Sequence, residues 1–400
     1  MFERFIARQA ILNDNLTLLG YDLQFRKDDS GVPGAAAWSA SYVVDASTMV
    51  FHWESITGNN LAFVAMGPEE LKSGAALLLP RLKAVIEILP SVPCDTETIA
   101  NCEALKSAGY RLAFSGSLNQ KERRPLTKFA DFLRVDLGQL TSREASETAR
   151  PDHPGKAILI ANGVDNWEDH RRARELGFRG FQGNFFLKPQ LFRRRQVAST
   201  RRNSMRLLQA ILKTPLDQAE IEEILRGEPA LTYKLLRYLN SPAMERQVEV
   251  RSIRMAIALL GEHEFRRWAS VVAVVTPATD KPSELLRTGL ARAYFCEKLA
   301  LSRGVDHAYD YFFTGLFSVM DAVLDRPLPE IVDELGLAAE VRKALLGLPN
   351  DLLEALQAAK SYEEGNWPSL KNAMEHLTLQ EANAPEYFRA AEHSANALFH

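Results

Sequence analysis

The chain has 400 residues, which at roughly 150 residues per domain suits two or three domains, each able to bury a core. A hydrophobic content of 46%, a charged content of 25% and a net charge of −3 are those of an ordinary globular protein, and they exclude a global field directed at nucleic acid or a membrane. The three cysteines, Cys94, Cys102 and Cys296, are odd in number and lack C-x-x-C spacing, so they suggest neither a disulfide framework nor a zinc site and point to the cytoplasm. The amino terminus places charges where a signal peptide needs an apolar run, and no apolar stretch is long enough to span a bilayer.

In chain order, residues 5–9 and 16–25 read as two strands joined by an Asn13-Asp14-Asn15 turn, and residues 31–37 as a loop. Apolar β-branched or aromatic runs then follow at 61–66, 84–89, 111–114, 132–135 and 157–160, separated by helical patterns that include 68–79 and 96–108. A polar, arginine-rich helix is predicted over 167–177, ending at Gly177. The next stretch, 178–186, reads as an aromatic strand that carries Gln182 and is broken by Gly180 and Gly183. Such alternation predicts a parallel sheet, either open or closed into a barrel. Past Phe192 the pattern changes. Residues 193–206 form a basic, arginine-rich junction, read as a linker or a surface for an acidic partner ahead of nucleic acid because it lacks interleaved aromatics.

Beyond the junction the chain reads as all-α. Asp217 with Glu220 forms a capping box, a helix is predicted over 229–239, and Ser252 caps an apolar face that Gly261 closes. Helices follow at 285–301, 309–324 and 329–335, with 271–275 read as core. The acidic tail reads as docked amphipathic helices through Tyr362, Trp367, Tyr387 and Phe388. The expected domains are therefore 1–192, α/β, and 207–400, all-helical, on either side of the junction.

In an α/β sheet or barrel, ligands meet the carboxyl ends of the strands. Those ends carry Asp22, Glu87, Ser115, Arg134 with Asp136, Asn162 and Gln182, a polar ring poor in carboxylates. Gln182 reads either as the polar floor of a pocket or as a buried amide that satisfies backbone.

Several stretches carry a resemblance. G-Y-D-L-Q-F-R (20–26), V-I-E-I-L (85–89), G-Y-R-L-A-F (109–114), F-L-R-V-D (132–136) and the closing L-G-F-R-G-F-Q-G-N-F-F-L-K-P resemble the EAL domain, a family of cyclic di-GMP phosphodiesterases on a modified TIM barrel. L-L-R-Y-L-N-S (235–241), S-I-R-M-A-I-A-L-L-G (252–261) and F-T-G-L-F-S (313–318) resemble the HDOD domain. The pair resembles the bacterial EAL–HDOD signalling proteins.

What the resemblance implies about the site can be carried over position by position. EAL chemistry uses two divalent ions held by oxygen ligands. The family's motif glutamate falls on Asp22, whose carboxylate is withdrawn by about 1.5 Å. The asparagine ligand falls on Ala65, the aspartate pair on Ser115 and Gly116, the lysine on Arg134, and a loop glutamate on Asn162; Glu87, Asp136 and Gln182 match. These departures lead to the expectation that the Mg/Mn site is lost, that no cofactor is used, and that the chain is not an enzyme. The HDOD half has no His-Asp pair at Gly315-Leu316-Phe317-Ser318-Val319, and His263, His307 and His376 read as surface residues. The expectation is a regulator or adaptor that acts through protein contacts of the HDOD domain. Two alternatives stay beside it: a cyclic di-GMP receptor that uses Arg26, Arg134 and Gln182, and a weak cyclic di-GMP phosphodiesterase. In the bland version of the pocket, Arg26 pairs with Asp22 or Glu87, and Arg134 with Asp136 or Asp131.

Overall fold

The structure is a computed structural model that describes residues 5–25, 53, 57–58, 60–116, 121–140, 157–190, 199–227, 253–278 and 280–396. Eight strands close into a barrel in chain order: β1 (Ile6–Asn13), β2 (Leu18–Phe25), β3 (Leu61–Met66), β4 (Ala84–Ile88), β5 (Arg111–Ser115), β6 (Phe132–Asp136), β7 (Ile158–Asn162) and β8 (Gly180–Gln182). Of the two predicted sheets the closed one forms, with one departure from parallel order: β1 runs antiparallel to both β2 and β8. The short connection dictates this, because a parallel pair needs a crossover of about a dozen residues or more. Asn13 builds the turn. Its side-chain oxygen accepts from the amides of Asn15 (2.9 Å) and Thr17 (3.1 Å), while Leu16 adopts φ 60°.

Inward-facing side chains fill the barrel. Ile11, Phe63, Val85, Ala113, Phe132 and Ile160 form one buried cluster, with the Phe63 and Phe132 rings edge to face at 5.1 Å. Alternation along each strand then leaves the next inward positions to the polar ends.

Three predicted elements are shorter than expected. The aromatic strand over 178–186 contracts to Gly180–Gln182, followed by a 3₁₀ turn at Phe185–Leu187. Gly183 is the reason: at φ 150° its backbone lies so close to Val164 that an added Cβ would sit 2.1 Å from the Val164 carbonyl oxygen. The helix over 68–79 divides at Gly74, φ 73°, into Pro68–Lys72 and a 3₁₀ turn at Ala75–Leu78. The helix over 309–324 divides at Ser318, whose hydroxyl donates to the Gly315 carbonyl at 2.7 Å, into Ala308–Phe317 and Met320–Leu324.

Chain contacts separate two compact units, Met1–Phe186 with Ser361–Ser369, and Leu187–Lys360 with Leu370–His400. The barrel unit thus includes a short piece from late in the chain. Trp367 meets Phe5 edge to face at 5.4 Å, and Tyr362 and Trp367 are both buried, 5.5 Å apart.

The second unit is helical. Ser199–Leu212 takes up the latter half of the basic junction, whose first residues lie outside the described ones, as do 31–37 and the helix expected over 229–239. Asp217 caps Gln218–Arg226 by accepting from the amides of Ala219 and Glu220. Glu220 turns away from the expected capping box and pairs with Lys213 at 2.7 Å. Val271, Val272 and Val274 are buried within Glu262–Val275. Ser283–Ser302 and Ala308–Phe317 pack closely, so that a Cβ on Gly315 would lie 2.5 Å from the Ala293 Cα.

Backbone cannot yield as a flexible side chain does, so Gly315→Ala is expected to destabilise the helical unit by on the order of 2–3 kcal/mol in urea unfolding. Gly227→Ala, whose nearest neighbour is a carbonyl oxygen at 3.5 Å, is the control expected to be near neutral.

Candidate functional site

The carboxyl ends of the barrel strands converge on one guanidinium. Arg134, on β6, points into the barrel mouth and is 4% exposed. Its Nη1 donates to Asp22 Oδ1 of β2 at 2.9 Å and to Glu87 Oε2 of β4. Nη2 donates to Gln182 Oε1 of β8, and Nε reaches Asn162 Oδ1 of β7 at 3.4 Å. Gln182 extends the network: its Nε2 donates to Asp22 Oδ2 at 3.0 Å and to Gln9 Oε1 of β1 at 2.7 Å. The Arg134 guanidinium also lies 5.8 Å from the centre of the Phe63 ring of β3.

Two carboxylates and one arginine are thus buried together. Burial pushes the Glu87 carboxyl up from its ordinary range, the Arg134 charge pulls it back, and Asp22 pushes it up again. Arg134 is driven the other way from what burial alone would do, because both acids hold it charged.

Of the residues singled out in the sequence, Asp22, Glu87, Arg134 and Gln182 meet, with Asn162 at their edge. Asp136 does not join them. It is exposed, and its Oδ1 accepts from the Gly138 amide at 2.9 Å. Ala65 and Ser115 stand opposite Glu87 and Arg134 in the strand register, and the Gly116 amide donates to the Arg134 carbonyl at 3.0 Å. Arg26 lies outside the described residues. The pairing of Arg134 with Asp136 or Asp131 is corrected. Asp131 instead takes Lys106 at 2.7 Å and the Leu112 amide, because it precedes β6 and sits at the opposite end of the strands from the mouth. The Gln182 amide bonds the side chains of Arg134, Gln9 and Asp22 and does not serve backbone.

The divalent ions implied by the EAL resemblance were tested against this geometry. The described residues contain no group of three or more His, Cys, Asp or Glu side chains placed to hold a metal. The oxygens that face the centre of the mouth, from Asp22, Glu87, Gln182 and Asn162, are all engaged by Arg134. The residues present do not fit a divalent ion.

Two residues went unnoticed in the sequence. Arg123 lies in the 3₁₀ stretch Lys121–Phe129 and is 6% exposed. Its Nη1 donates to the Ser115 carbonyl and its Nη2 to the Leu89 carbonyl, each at 3.2 Å, so it sits on the rim at the ends of β4 and β5. Its Nε has no partner, and no carboxylate pairs with it, among the described residues. The K-E-R-R-P-L run between two strands was the available signal. His170 is the second. It is buried beneath the aromatic segment, its ring 4.4 Å from Phe181 and stacked on Phe185 at 4.7 Å. Burial, and then Arg174, lower its pKa to about 4. By contrast, His263, His307 and His376 are exposed.

A closed barrel with one reversed strand, bearing the EAL-type motifs at its mouth, is followed by helices that match the HDOD domain model over residues 199–361. The chain accordingly carries an HDOD domain over residues 199–361, behind a barrel whose motifs resemble the EAL domain. It is similar to the uncharacterized protein YuxH of Bacillus subtilis, at 28% identity over 94% of this chain and 95% of that one. It is similar also to the cyclic di-GMP phosphodiesterase CdgJ of Vibrio cholerae, at 27% identity over 93% of this chain and 87% of that one. Among solved structures, BlrP1 of Klebsiella pneumoniae in a manganese and cyclic di-GMP complex aligns with 45% of this chain and 54% of that one, at 19% identity and a TM-score of 0.38. Among the described residues no helix is long and apolar enough to cross a membrane.

The second of these relatives overturns one expectation. The departures at Asp22, Ala65, Ser115, Gly116 and Asn162 led to the expectation that the chain is not an enzyme, yet a protein related over 93% of the chain is named a phosphodiesterase. Counting motif residues singly equated departure from a pattern with loss of a reaction, and the relation over the whole chain does not support that step.

His170 generates a test. An unfolded histidine takes up its proton near pH 6.5, whereas the buried one resists until about pH 4. The unfolded state therefore binds more protons between these values, and the barrel is expected to lose stability as pH falls through that window, by on the order of 2 kcal/mol after allowance for solvent screening. Urea midpoints measured from pH 7 to 4 should show the slope, and His170→Phe should flatten it.

Proposed function

We propose that this chain works in cyclic di-GMP signalling, with the barrel mouth as the site that receives the dinucleotide and the HDOD domain as the surface that contacts a protein partner. The observation that carries the first half is Arg123, a buried cation at the rim of the mouth with no carboxylate against it among the described residues. Burying a charge without an opposite one is costly, and burial already pulls the Arg123 pKa down. An anion arriving at the rim would relieve that cost, and a phosphodiester matches the arginine fork. Gly116 lies beside it, where an added Cβ would stand 3.0 Å from Pro90 and 3.9 Å from Arg123 Nη1. Cyclic di-GMP is the anion suggested by the name of the Vibrio cholerae relative.

The second half is supported by the packing of the helical unit. The Ala308–Phe317 segment fills its interior with phenylalanines, where HD-type hydrolases place a His-Asp pair. Its chemistry is then that of a surface, not of a reaction.

Calorimetric titration with cyclic di-GMP, with conversion to the linear dinucleotide followed in the same samples with magnesium or manganese, tests the reading. Heat with conversion assigns the reaction named for the relative, and heat without conversion assigns a receptor. Absence of both at high micromolar nucleotide overturns the proposal. Loss of a charge-assisted hydrogen bond is worth about 1.5–3 kcal/mol, so Arg123→Met should weaken binding by roughly 10- to 100-fold. Capture of partners by the full chain, with and without nucleotide, tests the HDOD half.

A further inference from the structure

The misfit between the mouth and a divalent ion has a specific cause. Four side-chain oxygens from four strands point inward: Asp22 Oδ1, Glu87 Oε2, Gln182 Oε1 and Asn162 Oδ1. Two carboxylates and two amide oxygens are the donor types that hard divalent cations take. Each is instead turned toward one guanidinium that is 4% exposed. We infer that Arg134 is a built-in cation: its guanidinium occupies the position, and balances the charge, that a divalent ion would otherwise take among these oxygens.

Three features support the assignment. The donors converge on the guanidinium from β2, β4, β7 and β8, so the site is organised around a central positive charge and not along one strand face. Gln182 has its orientation set on its far side by Gln9 and Asp22, which keeps Oε1 aimed at the centre. Glu87 is pushed toward protonation by burial, and the Arg134 charge opposes that push. A guanidinium is always charged and offers a planar fork of donors, so it can meet several oxygens at once without a bound ion or its waters.

The inference does not depend on whether the dinucleotide binds, and its test uses metal alone. The full chain is titrated with manganese chloride by calorimetry and melted with and without the metal. The wild-type protein is expected to show no saturable heat and no change in melting temperature. Arg134→Met removes the charge and keeps most of the volume. It should gain a manganese-dependent rise in melting temperature of at least about 3 °C, and the added substitution Glu87→Gln should abolish that gain. Arg134→Gln also removes the charge and should gain the same response. Saturable manganese binding by the wild-type protein at micromolar concentration overturns the inference. So does a folded Arg134→Met or Arg134→Gln variant, verified by circular dichroism, that does not respond to manganese. Should Arg134→Met not fold even in manganese, the wild-type and Arg134→Gln arms decide alone.

Discussion

A guanidinium taken out of water must recover, from fixed oxygens, what it lost in hydration, and Arg134 meets this demand with side chains from strands spread around the barrel. Asp22, Glu87, Asn162 and Gln182 hold it directly, and Gln9 is tied in through Gln182. The later strands are short, five residues each for β4, β5, β6 and β7 and three for β8. Their ladders alone offer few bonds at the carboxyl ends, so the ring of polar side chains closes the mouth where the backbone does not. Removing one member of such a network leaves an uncompensated charge, which is costlier than the network's net contribution.

The helical unit solves the same problem with different chemistry. Arg267 is half-buried and pairs with Glu297 at 3.1 Å, but its guanidinium is surrounded by aromatic faces. The rings of Trp268, Tyr294 and Phe312 lie 5.4, 5.0 and 4.9 Å from it. Cation–π contact supplies there what oxygen lone pairs supply in the barrel. Oxygen donors leave a site whose cation could in principle be exchanged, whereas π faces make a core.

Much of the architecture was legible in the residues because local chemistry and global fold agree. The Asn13 turn and the Asp217 cap are each specified by a side chain that bonds its own neighbourhood. The polar ends of the strands could likewise be read from alternation alone. What could not be read was set by contacts distant in the chain. The aromatic strand stops at Gln182 because Gly183 meets Val164. The partners of Arg134 lie 112 positions away in Asp22 and 47 in Glu87, so pairing by proximity chose Asp131 and Asp136 instead. His170 and Arg123 looked like members of charged surface runs, and only the fold turned them inward.

The short late piece of the barrel unit has a consequence for how the protein is made. Ribosomes deliver the chain from its amino end, and domains generally fold as they emerge. Here the barrel strands are complete by Gln182, but Tyr362 and Trp367, which pack with Phe5, are translated only after most of the helical half. Throughout that interval the apolar surface at Phe5 is without its cover. Gly365, φ 65°, then brings the returning chain against Ala7 and Gln24, so the last step in finishing the first domain is the synthesis of the second.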